Sequence, residues 1–408
     1  TSVSRGLGDV YKRQVHTIGI VTIIGYGFLF YTIAPLKEYI SLHTNLSEEL
    51  ILTMFSLALL FQALLAPRIG KWSDHHGSLI VIKYGLLLGM IGSIFIGITE
   101  IDLFIFKNVL WVFISMFLIT LGLGMSTYEV AFNAAVQMDE INSRKNISII
   151  TFYGAVASTI TWLSIYPLIY NVGLFYTCLF ISIILLIGYV LVSSKEMKYK
   201  SNIEYLNESK LLFNWNELKK TQKKSFFYIT ISSSLQNFFF VAFTLALVNF
   251  FTETFNDISI AVVLASIYGP FQLVGRYLEM KIGKHYDARY TGLIAFLFVI
   301  FSIFTAQFTN NISVAAISMA FFGMGHGVLT ITYGYVTNMY FESQIYGQAK
   351  GWMALSRSIS FAVGPALGAL LFAYNLNLFT ITIVITAILS AFSFSLIIFE
   401  KPTNQMHE

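Results

Sequence analysis

The hexapeptide IGKWSD at residues 69–74 has a close copy, IGKHYD, at residues 282–287. Each copy ends a long apolar run, and both keep glycine, lysine and aspartate at the same positions. Neighbouring features repeat in the same order, because Gly122-Leu123-Gly124 follows the first copy and Gly323-Met324-Gly325 follows the second. Features that recur in order within both halves of a chain indicate an internal duplication. We therefore predict two similar halves.

The composition places most of the chain in lipid. Of the 408 residues, 56% are hydrophobic and only 11% are charged, whereas soluble domains carry about 25% charged residues. Mean hydropathy is +0.71. Such a chain is neither disordered, nor a disulfide scaffold, nor a basic nucleic-acid-binding protein. The single cysteine, Cys178, provides too few thiolates for a metal site, and we predict no metal and no cofactor.

The apolar runs predict an all-α integral membrane protein with twelve transmembrane helices. A helix needs about 20 apolar residues to cross the hydrocarbon core. Short connections such as Asn171-Val172-Gly173 indicate tight helical hairpins between neighbouring spans. The predicted spans are 16–40, 48–72, 78–99, 107–138, 146–171, 173–194, 225–253, 258–282, 290–309, 312–341, 347–375 and 377–400.

Basic residues predict the orientation of these spans. With an even number of spans both termini share one side, and nearly all lysines and arginines fall on that side. Loops rich in lysine and arginine face the cytoplasm. We therefore predict an N-in/C-in protein of the cell inner (plasma) membrane with both termini cytoplasmic.

The only long polar segment, with eight lysines between Lys195 and Lys224, divides the spans six and six. The predicted domains are a non-native or disordered leader over 1–14, an N-terminal six-helix bundle over 15–194, a cytoplasmic linker over 195–224, a C-terminal six-helix bundle over 225–401 and a cytoplasmic tail over 402–408.

The segment from Gly70 to Gly77 resembles the Gly-x-x-x-Asp-x-x-Gly signature of the major facilitator superfamily (MFS), although His75 and His76 replace the usual basic residues. The resemblance covers Val15 to Lys401 and implies two six-helix bundles around a central cavity. In that family this loop latches one bundle to the other on the cytoplasmic side, and a degenerate copy lies between spans eight and nine. The gating residues that the resemblance implies are Gly70, Asp74, Gly77, Gly283 and Asp287.

Span eight is also similar to the eighth span of monocarboxylate porters, through the run from Gly269 to Arg276. In those proteins an Asp-x-x-x-Arg pair handles a proton and a carboxylate. Here Arg276 keeps the arginine position, but Gln272 replaces the acid. The resemblance therefore implies an anion-binding arginine more strongly than a proton-binding carboxylate.

Ionisable residues inside spans are costly unless they pair or meet water, and so they mark candidate sites. Five such residues lie on spans that would form the cavity in the resembled fold: Glu129, Arg276, Glu279, His326 and Arg357. The predicted substrate-binding residues are Arg276, Arg357, Gln272, His326, Asn237 and Tyr128. The predicted proton-coupling residues are Glu129, Glu279 and His326. For His326, a hydrogen bond to a neighbouring helix is an equally good interpretation.

Two functions stay open. The first is a secondary active transporter that moves a small organic anion, such as a monocarboxylate, together with protons. The alternative is a proton-driven antiporter that exports drugs or metabolites and uses Glu129 as the acceptor. An enzyme is disfavoured because the chain has no HExxH motif and no glycine-rich phosphate loop. The expected partners are the substrate, protons and the lipid bilayer, with no nucleic acid, and the resemblance implies a monomer.

Overall fold

The computed structural model describes residues 2–101, 108–206 and 213–403, and every regular element in these ranges is a helix. The α-helices are α1 (Ser2–Gly25), α2 (Ile33–Thr44), α3 (Glu48–His76), α4 (Ser78–Ile98), α5 (Val109–Ser126), α6 (Tyr128–Met138), α7 (Ser143–Gly154), α8 (Ala157–Leu206), α9 (Lys220–Phe255), α10 (Ile258–Lys281), α11 (Ala288–Phe308), α12 (Ile312–Tyr340), α13 (Ser343–Tyr374) and α14 (Leu376–Ser395). A π-helix covers Tyr26–Tyr31, and short 3₁₀ turns cover Gly283–His285 and Leu396–Phe399.

Within the described residues, ten helices are long and apolar enough to cross a membrane, against the twelve that the sequence predicts. They are Arg13–Tyr31, Leu50–His76, Ser78–Ile98, Val109–Met138, Leu163–Ser194, Lys220–Thr244, Ser259–His285, Ala288–Phe308, Ile312–Tyr340 and Leu376–Phe399. The predicted spans 146–171 and 173–194 share one of these helices, and 347–375 has no counterpart among them. α8 runs through the predicted boundary between spans five and six, where only Gly173 leaves the helical conformation.

The chain forms two compact units. The first comprises Thr1–Phe213 together with Ser343–Trp352, and the second comprises Asn214–Glu342 and Met353–Glu408. The first ten residues of α13 thus belong to the first unit, although the sequence places them in the second half.

The predicted domain boundaries stay predictions. α1 starts at Ser2, inside the stretch assigned to a leader, and α8 extends to Leu206, inside the stretch assigned to the linker. Residues 207–212 of that linker and 404–408 of the predicted tail lie outside the described residues.

In the first unit, glycine brings α4 and α5 into close contact. A Cβ on Gly122 would lie 2.8 Å from the backbone nitrogen of Gly89 and close to the Gly85 carbonyl oxygen. Small residues allow membrane helices to approach at backbone distance, so that dispersion forces hold them together in lipid. The glycine pattern of span four therefore serves packing.

In the second unit, glycines do the same for α10 and α12. A Cβ on Gly323 would overlap the Tyr268 carbonyl oxygen, and one on Gly327 would overlap the Gln272 carbonyl oxygen. On the opposite helix, Gly275 lies against the backbone of Met324. This close crossing presents one face of α10 to His326, which lies between Gly325 and Gly327 of α12.

Candidate functional site

A polar stripe runs along α10 in the second unit. Tyr268, Gln272 and Arg276 are spaced by four residues, which puts them on one face of a helix. Arg276 is only 5% exposed, and its Nη2 donates to Oε1 of Gln272 at 3.4 Å. The amide oxygen at the position of the missing carboxylate thus accepts from the arginine. This part of the predicted site is brought together by the helix itself.

His326 of α12 contacts the Tyr268 end of that stripe. Its Nδ1 is hydrogen bonded to the hydroxyl of Tyr268, and the two rings are nearly parallel. The ring of Phe240 from α9 stacks on His326 with 3.8 Å between the ring centroids. The prediction that His326 takes part in a polar site and the prediction of a helix-to-helix hydrogen bond are therefore compatible, because one ring nitrogen makes that bond.

Asn237 and Arg357 form a separate contact in the second unit. Asn237 Nδ2 donates to the backbone carbonyl of Arg357 at 3.4 Å, so the contact joins α9 and α13 without using the guanidinium group. Next to it, Ser234 donates to Ser356 at 2.9 Å. Both Asn237 and Arg357 are half-buried. Their predicted contact with substrate stays a prediction.

Glu279 lies at the other end of α10. It is 3% exposed, and its Oε1 accepts a hydrogen bond from the hydroxyl of Thr291 in α11 at 3.2 Å. Its carboxylate also occupies the space beside Gly283. These contacts place the Glu279 carboxylate beside the turn between α10 and α11, three residues beyond Arg276, and its predicted role in proton coupling stays a prediction.

Tyr128 and Glu129 open α6 in the first unit. The span that the sequence predicts over 107–138 is interrupted at Thr127, whose backbone is extended with φ −113° and ψ −162°. Glu129 lies in the first turn after the break and is half-buried. The helix N-terminus carries a partial positive charge, which favours a carboxylate at this position.

Two other helical segments of the first unit are interrupted near the break at Thr127. The π-helix Tyr26–Tyr31 continues α1, and residues 155–156 form a turn between α7 and α8. The rings of Tyr26 and Tyr128 are 4.7 Å apart, and the Tyr128 hydroxyl donates to the carbonyl of Thr151 in α7 at 3.4 Å. Three interrupted spans of the first unit thus converge on Tyr128, and discontinuous spans are where transporters commonly form their binding sites.

The motif residue Asp74 binds backbone amides of α13 inside the first unit. Its Oδ1 accepts from the N–H of Gly347 at 2.9 Å, and its Oδ2 accepts from the N–H of Gln348 at 2.7 Å. Asn133 of α6 also donates to Oδ1, at 2.8 Å. A side chain at Gly70 would overlap the carbonyl of Gly347. The glycine at position 70 is thus explained by one close approach, and the aspartate at position 74 by one set of charge-assisted hydrogen bonds.

Gly77 of the same motif turns the chain between α3 and α4. Its φ is +91°, a region that residues with a Cβ rarely adopt. Glycine is therefore required at position 77 by the backbone conformation. At position 70 it is required because a side chain would overlap the Gly347 carbonyl.

The second copy of the motif is built differently. Asp287 caps α11 by accepting from the N–H of Arg289 at 2.8 Å, and its Oδ2 lies 2.6 Å from Nη2 of the same arginine. Arg289 continues to the carbonyl of Glu400 at 2.9 Å. Asp287 therefore secures the start of α11 and the end of the described chain within the second unit. Gly283 starts the 3₁₀ turn of this copy.

Two residues of these sites, Tyr268 and Lys350, are not indicated by the sequence patterns. Tyr268 escaped because tyrosine is common in spans, although its spacing of four from Gln272 was a usable signal. Lys350 was counted among the cytoplasmic lysines, yet it is 4% exposed and its Nζ lies 6.0 Å from the centre of the Phe132 ring. No local pattern distinguishes a buried lysine near a helix start from an exposed one.

Within the described residues, no group of three histidine, cysteine, aspartate or glutamate side chains lies close enough to hold a metal ion.

Comparison with known proteins identifies the fold. The sequence profile described as Major Facilitator Superfamily matches residues 18–365 and 226–408. No curated protein matches the sequence significantly. A bacterial homologue of the iron transporter ferroportin, in an outward-facing state, is similar with a TM-score of 0.76 at 13% identity, over 96% of this chain and 99% of that one.

Other solved structures share the architecture. The proton:xylose symporter XylE bound to 6-bromo-6-deoxy-D-glucose has a TM-score of 0.65 at 15% identity, over 95% of each chain. The human organic anion transporter TETRAN has a TM-score of 0.69 at 11% identity, over 94% of this chain and 99% of that one. At such identities the likeness concerns the fold alone. The sequence match over nearly the whole length decides membership: the chain belongs to the major facilitator superfamily of multi-pass membrane transporters.

Proposed function

We propose that this protein is a secondary active transporter that moves a small organic anion, such as a monocarboxylate, by alternating access and in company with protons. It acts as a monomer in the plasma membrane with both termini in the cytoplasm. The names of the structural neighbours refer to different substrates, namely iron, xylose and organic anions. The substrate class is therefore argued from this chain's own residues.

The observation that carries the proposal is the burial of Arg276 inside a membrane span. A guanidinium group keeps its charge under all ordinary conditions, and a permanent charge inside a span marks a candidate binding site or polar pathway. The contact with Gln272 holds the group by a neutral amide oxygen at 3.4 Å. A carboxylate matches the guanidinium group better, because it offers two charged acceptors.

The proposed coupling to protons depends on side chains that can bind and release a proton. His326 lies within α12 beside the same stripe, and Glu129 opens α6 in the first unit. Histidine exchanges protons near neutral pH in ordinary surroundings. Both residues are proposed as coupling groups. Tyr128, Asn237 and Arg357 are proposed to complete the substrate contacts.

The test is uptake of radiolabelled acetate, lactate and pyruvate into proteoliposomes, with and without an imposed pH gradient. We expect Arg276→Gln to reduce carboxylate uptake about a hundredfold, because it removes the charge that would pair with the substrate. Lys281→Gln is the matched control, since Lys281 is an exposed cation at the end of the same helix. Uptake by Arg276→Gln at the wild-type rate, or no gradient-driven uptake of any carboxylate by folded wild-type protein, would show that the anion assignment is wrong.

A specific observation favours the alternative, proton-driven export of amphipathic or cationic compounds. The rings of Tyr128 and Phe132, on either side of Glu129 in the sequence, stack with centroids 5.1 Å apart. Aromatic faces and a carboxylate together suit an organic cation. Export of a lipophilic amine that is lost in Glu129→Gln and kept in Arg276→Gln would select this alternative.

A further inference from the structure

We propose that Tyr268 is a positioning residue that holds His326 as its Nε2–H tautomer, so that Nε2 donates a hydrogen bond to an oxygen of the anionic substrate. The inference rests on the proposed function for the identity of the ligand. It assigns a role to Tyr268, and it names the ring atom of His326 that meets the ligand.

Packing against three neighbouring helices fixes the position of the His326 imidazole ring. Gly327 lies against the carbonyl of Gln272, and Gly325 lies against α11, where a Cβ would be 2.7 Å from the carbonyl oxygen of Ala295. The backbone on both sides of His326 is therefore tightly packed. The ring itself is stacked on Phe240 at 3.8 Å, so its plane is set by α9 while its backbone is set by α10 and α11.

The hydrogen bond from Tyr268 selects the tautomer. A tyrosine hydroxyl donates readily, and a neutral imidazole has one acceptor nitrogen and one donor nitrogen. Since Nδ1 is the atom that meets the Tyr268 hydroxyl, donation by tyrosine leaves the ring proton on Nε2. Metal-ligating and catalytic histidines are commonly oriented by such a bond on the other nitrogen.

The second nitrogen is the atom left for a ligand. Among the residues that the structure describes, no hydrogen bond to Nε2 of His326 is found, whereas Nδ1 is engaged. His326 is half-buried, and its Nε2 is not among the fully buried atoms that lack a partner, so this N–H is accessible to an acceptor oxygen of a ligand.

The stripe on α10 supports an anionic ligand. The Nη2 atom of Arg276 reaches back along the helix to Gln272, which is four residues, or about 6 Å along an α-helix, from Tyr268. The face therefore places a cation within a short distance of the neutral N–H donor of His326. A small carboxylate that bears a second oxygen fits this pair of groups better than a cation does.

The first experiment measures the tautomer without any substrate. Protein with ¹⁵N-labelled histidine is reconstituted in nanodiscs, and the His326 signal is assigned as the one that disappears in His326→Gln. We expect the wild-type ring to show the Nε2–H pattern, and Tyr268→Phe to shift both ring nitrogens toward a mixture of tautomers. Unchanged nitrogen shifts in Tyr268→Phe would overturn the inference.

Two variants separate positioning from packing. Tyr277→Phe is the matched control, because Tyr277 is on the same helix, is 48% exposed and should leave both the spectrum and the transport unchanged. Phe240→Leu removes the ring stacked on His326 but keeps the hydroxyl of Tyr268, so it should move ring carbon shifts while the Nε2–H pattern persists. Loss of that pattern in Phe240→Leu would mean that stacking, and not the hydroxyl, sets the tautomer.

The second experiment connects the tautomer to the ligand. In proteoliposomes we expect Tyr268→Phe to raise KM for the transported carboxylate about three- to tenfold, with a smaller change in kcat, as expected when one neutral hydrogen bond is misdirected. An unchanged KM together with a shifted tautomer would overturn the contact between Nε2 and the substrate. If wild-type protein transports no carboxylate, the proposed function fails, while the tautomer measurement still decides the role of Tyr268.

Discussion

The two compact units use different means to place polar groups within apolar spans. In the first unit, spans are interrupted at Tyr26–Tyr31, at Thr127 and at residues 155–156, and the breaks surround Tyr128. In the second unit, α10 and α12 are continuous across the site, and side chains alone supply the polar groups. A broken helix exposes backbone N–H and C=O groups, which are tolerated at membrane depth only where protein or water satisfies them.

The two copies of the motif, at residues 69–74 and 282–287, also differ in the contacts that their aspartates make. Asp74 accepts the backbone amides of Gly347 and Gln348, whereas Asp287 accepts from the start of its own next helix and pairs with Arg289. A duplicated sequence therefore does not imply a duplicated contact. The partner of each aspartate is decided by what the rest of its unit places beside it.

The largest effect is expected where two backbones touch. Gly327→Ala places a Cβ against the Gln272 carbonyl in the second unit, whereas Gly269→Ala has nothing within 4 Å to meet. We expect Gly327→Ala to destabilise the protein by about 3 kcal/mol, the upper end of the usual cost of overpacking, because the atom in the way belongs to the backbone; Gly269→Ala should be nearly neutral. Melting temperatures in detergent measure both. Equal temperatures for the two variants would show that α10 and α12 can separate without cost.

An intermediate effect is expected at the two aspartates. Asp74→Asn keeps the shape but loses an acceptor oxygen and the charge that strengthens bonds to Gly347 and Gln348. We expect about 1.5–3 kcal/mol to be lost from this contact and transport to fall at least tenfold. Asp287→Asn keeps an oxygen that can cap α11 but loses the ion pair with Arg289, so it should lower thermal stability by about 0.5–1 kcal/mol, with less effect on transport.

These two variants are compared by transport rate and melting temperature in the same preparation. If Asp287→Asn impaired transport as strongly as Asp74→Asn while stability stayed unchanged, the two copies would share one role. The difference drawn between them would then be wrong.

The smallest effect is expected for removal of single hydroxyl groups. Tyr333 of α12 is 4% exposed, and its hydroxyl is hydrogen bonded to Ser232 at 2.6 Å. Ser232 keeps its bond to the Ser390 carbonyl at 2.8 Å, so Tyr333→Phe should cost about 0.5–1 kcal/mol for the one lost bond. Tyr128→Phe in the first unit loses a bond of 3.4 Å and should cost about 0.5 kcal/mol or less. Chemical unfolding of both variants tests the order, and a larger loss for Tyr128→Phe would reverse it.

Much of the fold could be predicted because its signals are local in sequence. Ten of the described helices meet the length and hydropathy needed to cross a membrane, and the signature from Gly70 to Gly77 points to the family that the profile identifies. The spans predicted over 146–171 and 347–375 were harder. The first contains a break between α7 and α8, and the second contains the charged residues Lys350 and Arg357.

Sites were less predictable than spans, since a site depends on which side chains meet across helices. Tyr268 and His326 are 58 residues apart, and no property of either residue alone announces their hydrogen bond. Glu279 is three residues from Arg276 on the same helix, and its carboxylate also accepts from Thr291 of the next helix, a contact that the spacing within α10 cannot reveal. Helical spacing indicates which residues share a face, but it does not show what lies opposite that face.

The sequence by itself determined that the protein is helical, embedded in a membrane, duplicated and a member of its superfamily, because burial of apolar runs in lipid requires helices with satisfied backbones. Only the tertiary structure decided that residues 343–352 belong to the first unit, that three broken spans meet at Tyr128, and that Tyr268 bonds His326. Those outcomes depend on packing between residues far apart in the chain, where a glycine permits approach and a carboxylate or hydroxyl selects its partner.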